Sequence, residues 1–295
     1  MSARAAAHML VRGAAALALL LTGPAAAGQA PSTQLRATWM GGATLVFRFG
    51  PITLVTDPVL GEGANAFRMF DPNSGREDAP HARLTPFPAG LPESPDLVLV
   101  SHDHEDHLDA AALARLAKSA RFIAPASQAD AIRRRSGAQV LGLSWSGTHR
   151  IERDGYSLSI RALPAQHSPR ADVATRLGDV NGYWLEFRRR GFRRTVYWTG
   201  DGFPVPAEIG RELRRPDLLV PHLGAVGDRG PFGRVSMGAQ EAVTFASLVQ
   251  PRAVLPIHHS TFSLYREPLD RFVRASRGKG WDLVLRPEGG EYVLQ

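Results

Sequence analysis

Three histidines and four acids crowd into the ten residues Val100-Ser101-His102-Asp103-His104-Glu105-Asp106-His107-Leu108-Asp109, directly behind the apolar run Leu97-Val98-Leu99. The core of the pattern is His-x-His-x-Asp-His. Neutral imidazole and carboxylate are the donors that borderline divalent ions such as Zn²⁺ prefer, so the pattern reads as a metal site. A continuous helix cannot present it. Residues two apart do not share a helical face, and His102 and His104 converge only where the backbone turns. The flanks supply such a turn: Leu97 to Val100 reads as a buried strand, and Asp109 is a suitable N-cap for a helix through Leu113 and Leu116. A strand-to-helix loop is therefore expected to carry the donors. At this chain's histidine and aspartate frequencies the pattern arises by chance on the order of once in a thousand such sequences, so support must come from elsewhere in the chain.

Residues 1 to 27 have the order of a secretory signal peptide. Arg4 and Arg12 form a basic start, Ala14 to Leu21 a short apolar stretch, and Ala25-Ala26-Ala27 a small-residue cleavage site before Gly28. The stretch is shorter than a bilayer span, so the mature form is expected to lack a transmembrane segment and to be periplasmic or secreted. With no cysteine in the chain, disulfides, a lipoprotein anchor and thiolate metal ligands are all excluded. Any metal must be held by His, Asp and Glu. Residues 28 to 295 are long enough for one large domain, and no linker divides them. The formal charge is +7, nearly all the bases are arginines, and they lie scattered among acids. Clusters such as Arg133-Arg134-Arg135 have no interleaved aromatics, so no nucleic-acid partner is expected.

Short apolar or alternating segments read as strands at Ala37 to Met40, Ala43 to Phe49 and Ile52 to Thr56. Residues 59 to 95 carry many Gly and Pro without a period and read as a long loop, in which Phe67, Met69, Phe70 and Phe87 are candidates to line a pocket. Strands follow at Arg121 to Ala124, Ser157 to Leu163, Gly182 to Phe187, Thr195 to Trp198, Asp217 to Val220 and Ala253 to Ile257. Helices are expected at Ser127 to Arg135, Ala239 to Val249 and Pro268 to Ser276. Three of these later strands end in a candidate ligand: one in Gln166-His167, one in Thr199-Gly200-Asp201, one in His258-His259. Six of the ten histidines lie in the central stretch or at these ends. Strand ends are where α/β folds assemble sites, so the donors form a two-metal set.

The succession His102-x-His104-x-Asp106-His107, His167, Asp201 and His258 resembles the metallo-β-lactamase superfamily over nearly the whole mature chain. Flanking motifs are similar to the branch of L-ascorbate-6-phosphate lactonases and N-acylphosphatidylethanolamine-hydrolysing phospholipase D: Thr38-Trp39-Met40-Gly41-Gly42-Ala43-Thr44, Thr56-Asp57-Pro58, Leu163 to His167, Ser236 to Ala242, and Pro256-Ile257-His258-His259-Ser260-Thr261-Phe262. The resemblance implies an α+β fold, a four-layer αββα sandwich with a dinuclear site at one edge. It also implies that His102, His104 and His167 hold one ion and Asp106, His107 and His258 the other, with Asp201 bridging. The chain departs from that branch at Gly42, where histidine is common, and at Gly202, where threonine commonly follows the Gly-Asp pair. Antibiotic hydrolysis of the thiolate-dependent kind is excluded by the missing cysteine.

Two divalent ions about 3.5–4 Å apart can bridge a water and lower its pKa toward 7, making a hydroxide nucleophile. With two carboxylates and that hydroxide the centre keeps about +1, which suits a small anionic phosphoryl or an ester centre. Zinc leads among the candidate ions, with manganese and iron as alternatives. Asp106 could orient the nucleophile while ligating, Asp57 could accept an imidazole N–H, and His222 and His259 are candidate proton donors to the leaving group. Arg229 and Arg234 are candidate anion binders. The expected function is a metal-dependent hydrolase of a phosphodiester or of a lactone or ester. The alternatives are a membrane-surface phospholipase with an exposed apolar lip around Phe67 to Phe70, a redox-iron oxidoreductase, and a non-catalytic metal-binding protein.

Overall fold

The structure is a computed structural model that describes residues 34–210 and 213–295, so the expected signal peptide, residues 1 to 27, lies outside the described residues. The chain opens with an antiparallel meander of β1 (Leu35–Gly41), β2 (Thr44–Phe49) and β3 (Ile52–Thr56). A hairpin of β4 (Phe67–Asp71) and β5 (Arg76–His81) stands apart from it as a separate two-stranded sheet. Next come β6 (Leu97–Leu99), α1 (Ala110–Leu116), β7 (Arg121–Pro125), α2 (Ala129–Ser136) and β8 (Gln139–Leu143), in which β3, β6, β7 and β8 pair in parallel. The second half contains β9 (Thr148–Arg153), β10 (Tyr156–Gln166), α3 (Ala171–Leu177), β11 (Val180–Arg189), β12 (Phe192–Trp198), β13 (Phe203–Pro204) and β14 (Leu218–Val220). It closes with α4 (Ala239–Val249), β15 (Ala253–Val254), α5 (Leu269–Ala275), β16 (Asp282–Leu283) and β17 (Glu291–Leu294).

Two sheets result. One runs β17-β1-β2-β3-β6-β7-β8; the other runs β13-β10-β11-β12-β14-β15-β16, with β9 on β10. Successive strand residues face opposite ways, and the core follows that period of two. Leu45, Phe47 and Phe49 of β2, Leu97 and Leu99 of β6, and Leu218 and Val220 of β14 point between the sheets into one buried cluster. Their neighbours point outward: Val46 and Val98 pack under α1 and α2 with Leu113, Leu116 and Ile132, while Leu219 packs under α4 and α5 with Val243, Phe245 and Phe272. Strands covered on both faces must be apolar at every position, which is why these runs read as continuous rather than alternating. The layers are helix, sheet, sheet, helix, the αββα sandwich that the resemblance implied.

Strands β12, β14 and β15 run parallel, and β10, two antiparallel steps from β12, runs the same way. Their carboxyl ends therefore share one edge of the sandwich. Helices α1, α2, α4 and α5 stand where expected, and Asp109 caps α1 by accepting the Ala112 N–H at 2.7 Å. The expected loop over 59 to 95 needs correcting, because the hairpin β4–β5 lies inside it. Its second strand begins Arg76-Glu77-Asp78, all exposed, so no apolar alternation announces it. Strands β8, β9, β16 and β17 and helix α3 were likewise not anticipated. Strand β17 pairs with β1 across some 250 residues of sequence, and no local pattern encodes such a pairing.

Candidate metal centre

The loop from β6 to α1 carries residues 100 to 109 to the shared edge, where they meet the ends of β10, β12 and β15. Two groups of donors form: His102, His104 and His167, and beside them Asp106, His107, Asp201 and His258. All seven candidate metal ligands are thus brought together. Two backbone features make the meeting possible. Gly200 holds φ +61°, and a Cβ on it would stand 2.6 Å from the Asn181 carbonyl oxygen and 2.7 Å from the Ser101 Cβ, so only glycine lets the Asp201 turn close on the histidine loop. His258 itself holds φ +61°, a conformation unfavourable for a residue with a Cβ. It is secured by a hydrogen bond from its N–H to the Gly42 carbonyl at 2.9 Å. Gly42 donates in turn to Thr261 Oγ1, which donates to Glu288, and Glu288 pairs with the buried Arg83 at 2.7 Å.

Hydrogen bonds assign the imidazole tautomers. His167 Nδ1 faces the Val235 carbonyl at 2.9 Å, so that nitrogen carries the hydrogen. Ser101 Oγ gives its proton to Asp57 Oδ2 at 2.6 Å and can only accept from His102 Nδ1 at 3.0 Å. Both Nε2 atoms therefore turn lone pairs inward, and they stand 3.0 Å apart. His104 Nδ1 completes the triangle, 2.9 Å from His102 Nε2 and 3.0 Å from His167 Nε2. Lone pairs at that distance repel unless a cation lies among them. Burial first, then the neighbouring histidines, holds His102 well below the ordinary imidazole pKa. Burial and His167 bring His104 down to about 3.

In the second group His107 Nδ1 donates to Asp57 Oδ2 at 2.6 Å and His258 Nδ1 to the Leu223 carbonyl at 2.9 Å, again leaving Nε2 directed inward. His107 Nε2 stands 3.6 Å from both Asp106 Oδ2 and Asp201 Oδ2, and His258 Nε2 stands 3.6 Å from Asp106 Oδ2. These gaps exceed hydrogen-bond length but match the ~3.4 Å that separates ligand atoms around a tetrahedral ion at ~2.1 Å. The Nε2 atoms of His107 and His258 and the Oδ1 atoms of Asp106 and Asp201 are buried without a partner. Burial opposes charge on His107, yet the carboxylates of Asp106 and Asp57 outweigh it and raise the pKa well above the imidazole range. Burial likewise opposes ionisation of Asp106 and Asp201, but His107 and His258 hold both carboxyls below their ordinary range. The field calls for positive charge at this point, and the donor set fits divalent ions in both groups.

Asp57 joins the groups. Fully buried, it accepts the Ser101 N–H at 2.7 Å, the Ser101 hydroxyl and the His107 Nδ1–H, so one carboxylate orients a histidine in each. Its pKa is raised by burial, against the pull of His107. Such outer acceptors fix the tautomer and raise the basicity of metal-binding imidazoles. The expectation for Asp57 as an acceptor is met, whereas Ser101, to which no role was assigned, links it to His102.

Residues 53–259 match the sequence profile of the Beta-lactamase superfamily domain. The chain belongs to the metallo-β-lactamase superfamily. It is 30% identical over 256 residues to N-acyl-phosphatidylethanolamine-hydrolyzing phospholipase D 1 of Caenorhabditis elegans, covering 80% of this chain and 68% of that one. It is also 30% identical over 221 residues to a metal-dependent hydrolase of Archaeoglobus fulgidus, covering 69% and 88%. Among solved structures it is similar to an isothiocyanate hydrolase from Delia radicum gut bacteria, with TM-score 0.69, 22% identity and coverage of 87% and 98%. A possible metal-dependent hydrolase from Veillonella parvula gives TM-score 0.71 at 17% identity, covering 88% and 99%. This member of the superfamily is a metal-dependent hydrolase.

The remaining sequence-expected residues of this metallo-β-lactamase relative fall elsewhere. His222 is fully buried behind the centre, stacked on His107 at 5.8 Å, with Nδ1 3.3 Å from Thr199 Oγ1. Burial, then His258 and His107, keeps it well below the imidazole range. His259 turns away, with its ring 4.7 Å from Trp39 and Nδ1 2.6 Å from Ser260 Oγ, and burial lowers it to about 4. Neither borders the cavity of about 200 Å³ that opens onto His104, Asp106, His167 and Asp201. Arg234 is committed to Glu241 at 2.7 Å and to Asp228, and Arg229 lines a different cavity. Met69 and Phe70 do line the cavity at the centre. Phe67 is instead buried against Phe262 at 5.1 Å, and Phe87 lies under the Arg83 guanidinium. An exposed apolar lip at Phe67 to Phe70 is therefore absent. Among the described residues no helix is long and apolar enough to cross a membrane. Tyr265, not anticipated, lays its ring 4.4 Å from that of His258, and its hydroxyl is buried without a partner. Only its position six residues beyond His259 marked it in the sequence.

Proposed function

We propose that the protein is a binuclear hydrolase of an ester bond, either a phosphodiester or a lactone or carboxylic ester. The observation that carries this reading is the pairing of two adjacent donor groups in which four of the five imidazoles turn an N–H outward to a fixed acceptor, at the floor of one cavity. In this reading His102, His104 and His167 hold one ion, Asp106, His107 and His258 the other, and Asp201 lies between them. Zinc is the first ion to test, since the donors are nitrogen and oxygen. When bound, two such ions supply an ionised water and polarise the oxygen of the bond attacked.

The protein's own part is positional. Asp57 and Ser101 fix His102 and His107, the Val235 and Leu223 carbonyls fix His167 and His258, and burial excludes bulk water from behind the ligands. Asp106 keeps Oδ1 free of protein partners and is placed to orient the attacking water while its Oδ2 faces His107 and His258. A leaving-group proton is then taken from solvent through the cavity mouth, since His222 and His259 stand outside it. The phospholipase name of the C. elegans relative supports a phosphodiester, and the apolar cavity walls support an ester or lactone.

Elemental analysis of the purified protein, paired with turnover of bis(p-nitrophenyl) phosphate and a lactone panel by wild type and Asp106→Ala, tests the proposal. Near two metals per chain and loss of turnover in the variant are expected. A single equivalent, or turnover indifferent to Asp106, overturns it.

A further inference from the structure

The cavity at the centre has a chemistry of its own. Its floor is His104, Asp106, His167 and Asp201; its walls are Met69 and Phe70 from the hairpin, Leu177 from α3, and Val226 and Val235 from the segment after β14. Apart from the floor the charged lining is Arg68, Asp103 and Glu105. Arg68 is held by both carboxylate oxygens of Asp78, at 3.0 and 2.9 Å. Asp103 and Glu105 are both drawn to Arg135. Counted with their partners these side chains sum to one negative charge, so the lining offers no net positive charge to a phosphate or carboxylate on the part of a substrate that does not react.

The size is fixed as well. Phe70 stacks on Phe232 at 4.9 Å, and the Arg176 guanidinium lies 4.6 Å over Phe232. Asn73, in the hairpin turn, accepts the Gly227 N–H at 2.8 Å and donates to the Leu264 carbonyl at 3.0 Å. The hairpin is thereby clasped to the loops opposite, and the volume is preformed rather than opened by the ligand. At about 200 Å³ the space is smaller than the ~300–1,000 Å³ of ordinary ligand pockets.

From this we infer that the cavity selects compact, uncharged esters, above all small lactones, with Met69 setting the length limit. The inference rests on the hydrolase reading above. Each buried methylene that fits raises kcat/KM about fourfold, and the gain reverses once the chain meets the Met69–Phe70 wall.

The test uses the zinc-loaded protein on γ-lactones from butyrolactone to dodecalactone, with bis(p-nitrophenyl) phosphate and phosphatidylethanolamine vesicles as charged comparators. A kcat/KM maximum at γ-butyrolactone to γ-hexalactone is expected, with at least a tenfold fall by dodecalactone and lower values for both comparators. Met69→Ala moves the maximum to longer chains, and Met69→Trp lowers every lactone. A rise continuing to dodecalactone, a preference for either comparator, or Met69 variants with the wild-type profile overturns the inference. Calorimetry on the metal-free protein separates it from the hydrolase reading. Hexanol binding with hexanoate excluded, and hexanol lost in Met69→Trp, supports the cavity assignment even if every hydrolytic assay fails. Equal binding of the two, or no binding of hexanol, overturns it.

Discussion

Replacing Asp57 by asparagine isolates the group that holds the two donor sets in register. The side chain is fully buried and accepts three hydrogen bonds, from the Ser101 N–H at 2.7 Å, the Ser101 hydroxyl at 2.6 Å and His107 Nδ1 at 2.6 Å. In Asp57→Asn one carboxylate oxygen becomes an NH₂. If the amide oxygen takes the place shared by Ser101 Oγ and His107, the NH₂ confronts the Ser101 N–H; the opposite flip confronts two donors. At least one buried donor is left unmatched, a cost of about 1–3 kcal/mol to the metal-free fold, partly offset because a buried carboxylate need no longer be ionised. The larger consequence concerns the ligands. With the negative charge gone, His107 and, through Ser101, His102 keep an acceptor for their outward N–H but lose basicity, which for such outer partners weakens metal binding about 10- to 100-fold. That range is about 1.4–2.8 kcal/mol. Competition titration with a chromophoric zinc chelator, fitted to two equivalents, reads it directly, with circular dichroism showing the variant folded. The reasoning fails if the folded variant binds both equivalents within twofold of wild type.

Gly200→Ala forces a Cβ to within 2.6 Å of the Asn181 carbonyl oxygen at φ +61°, so a loss of about 1–3 kcal/mol in urea unfolding is expected; an unchanged midpoint would refute the close approach. Thr261→Val keeps the shape but leaves the Gly42 N–H without its acceptor at 2.8 Å, which predicts a loss of about 1–3 kcal/mol and, through the Gly42–His258 bond, weaker binding of the second zinc equivalent; stability within 0.5 kcal/mol, about the scatter of neutral surface changes, counts against the network. Metal-free protein should gain stability as pH rises toward 6.5. His102, His104, His222 and His259 all have folded pKa values below the ordinary 6.5, so the unfolded chain binds more protons and acid favours it. His107, raised above 6.5, opposes this with a contribution present below 6.5 and lost as pH rises through its folded value. Thermal melts of chelator-treated protein between about pH 5 and pH 7 decide the sign, and a falling Tm would overturn the assignment of neutral imidazoles. Removing metal with a chelator should abolish turnover, and zinc or manganese should restore it.

The central site was legible because its donors are local. His102 to His107 fall within one loop, and His167, Asp201 and His258 each follow an apolar strand, so the sequence marks strand ends that a shared sheet direction then brings to one edge. The hairpin β4–β5 was not legible, since half of it is charged and exposed and its support comes from Phe262, nearly 200 residues away. The same limit applies to His222 and His259. A histidine beside a site reads as a proton donor in a linear chain, and only the packing of Trp198, Trp39 and His107 around them places both outside the cavity.

The sequence by itself determined which side chains can bind metal, their order along the chain and the absence of thiolates, whereas the four-layer architecture came only from the family resemblance. The first three follow from side-chain chemistry that any short window reveals. Only the tertiary structure decided the nitrogen each histidine turns inward and the size and charge of the cavity. Those properties depend on contacts such as Ser101 with Asp57, His167 with Val235 and Asn73 with Gly227, made between residues 44 to 154 positions apart. At that separation the chain folds back many times between the partners, and burial, not periodicity, chooses who meets whom.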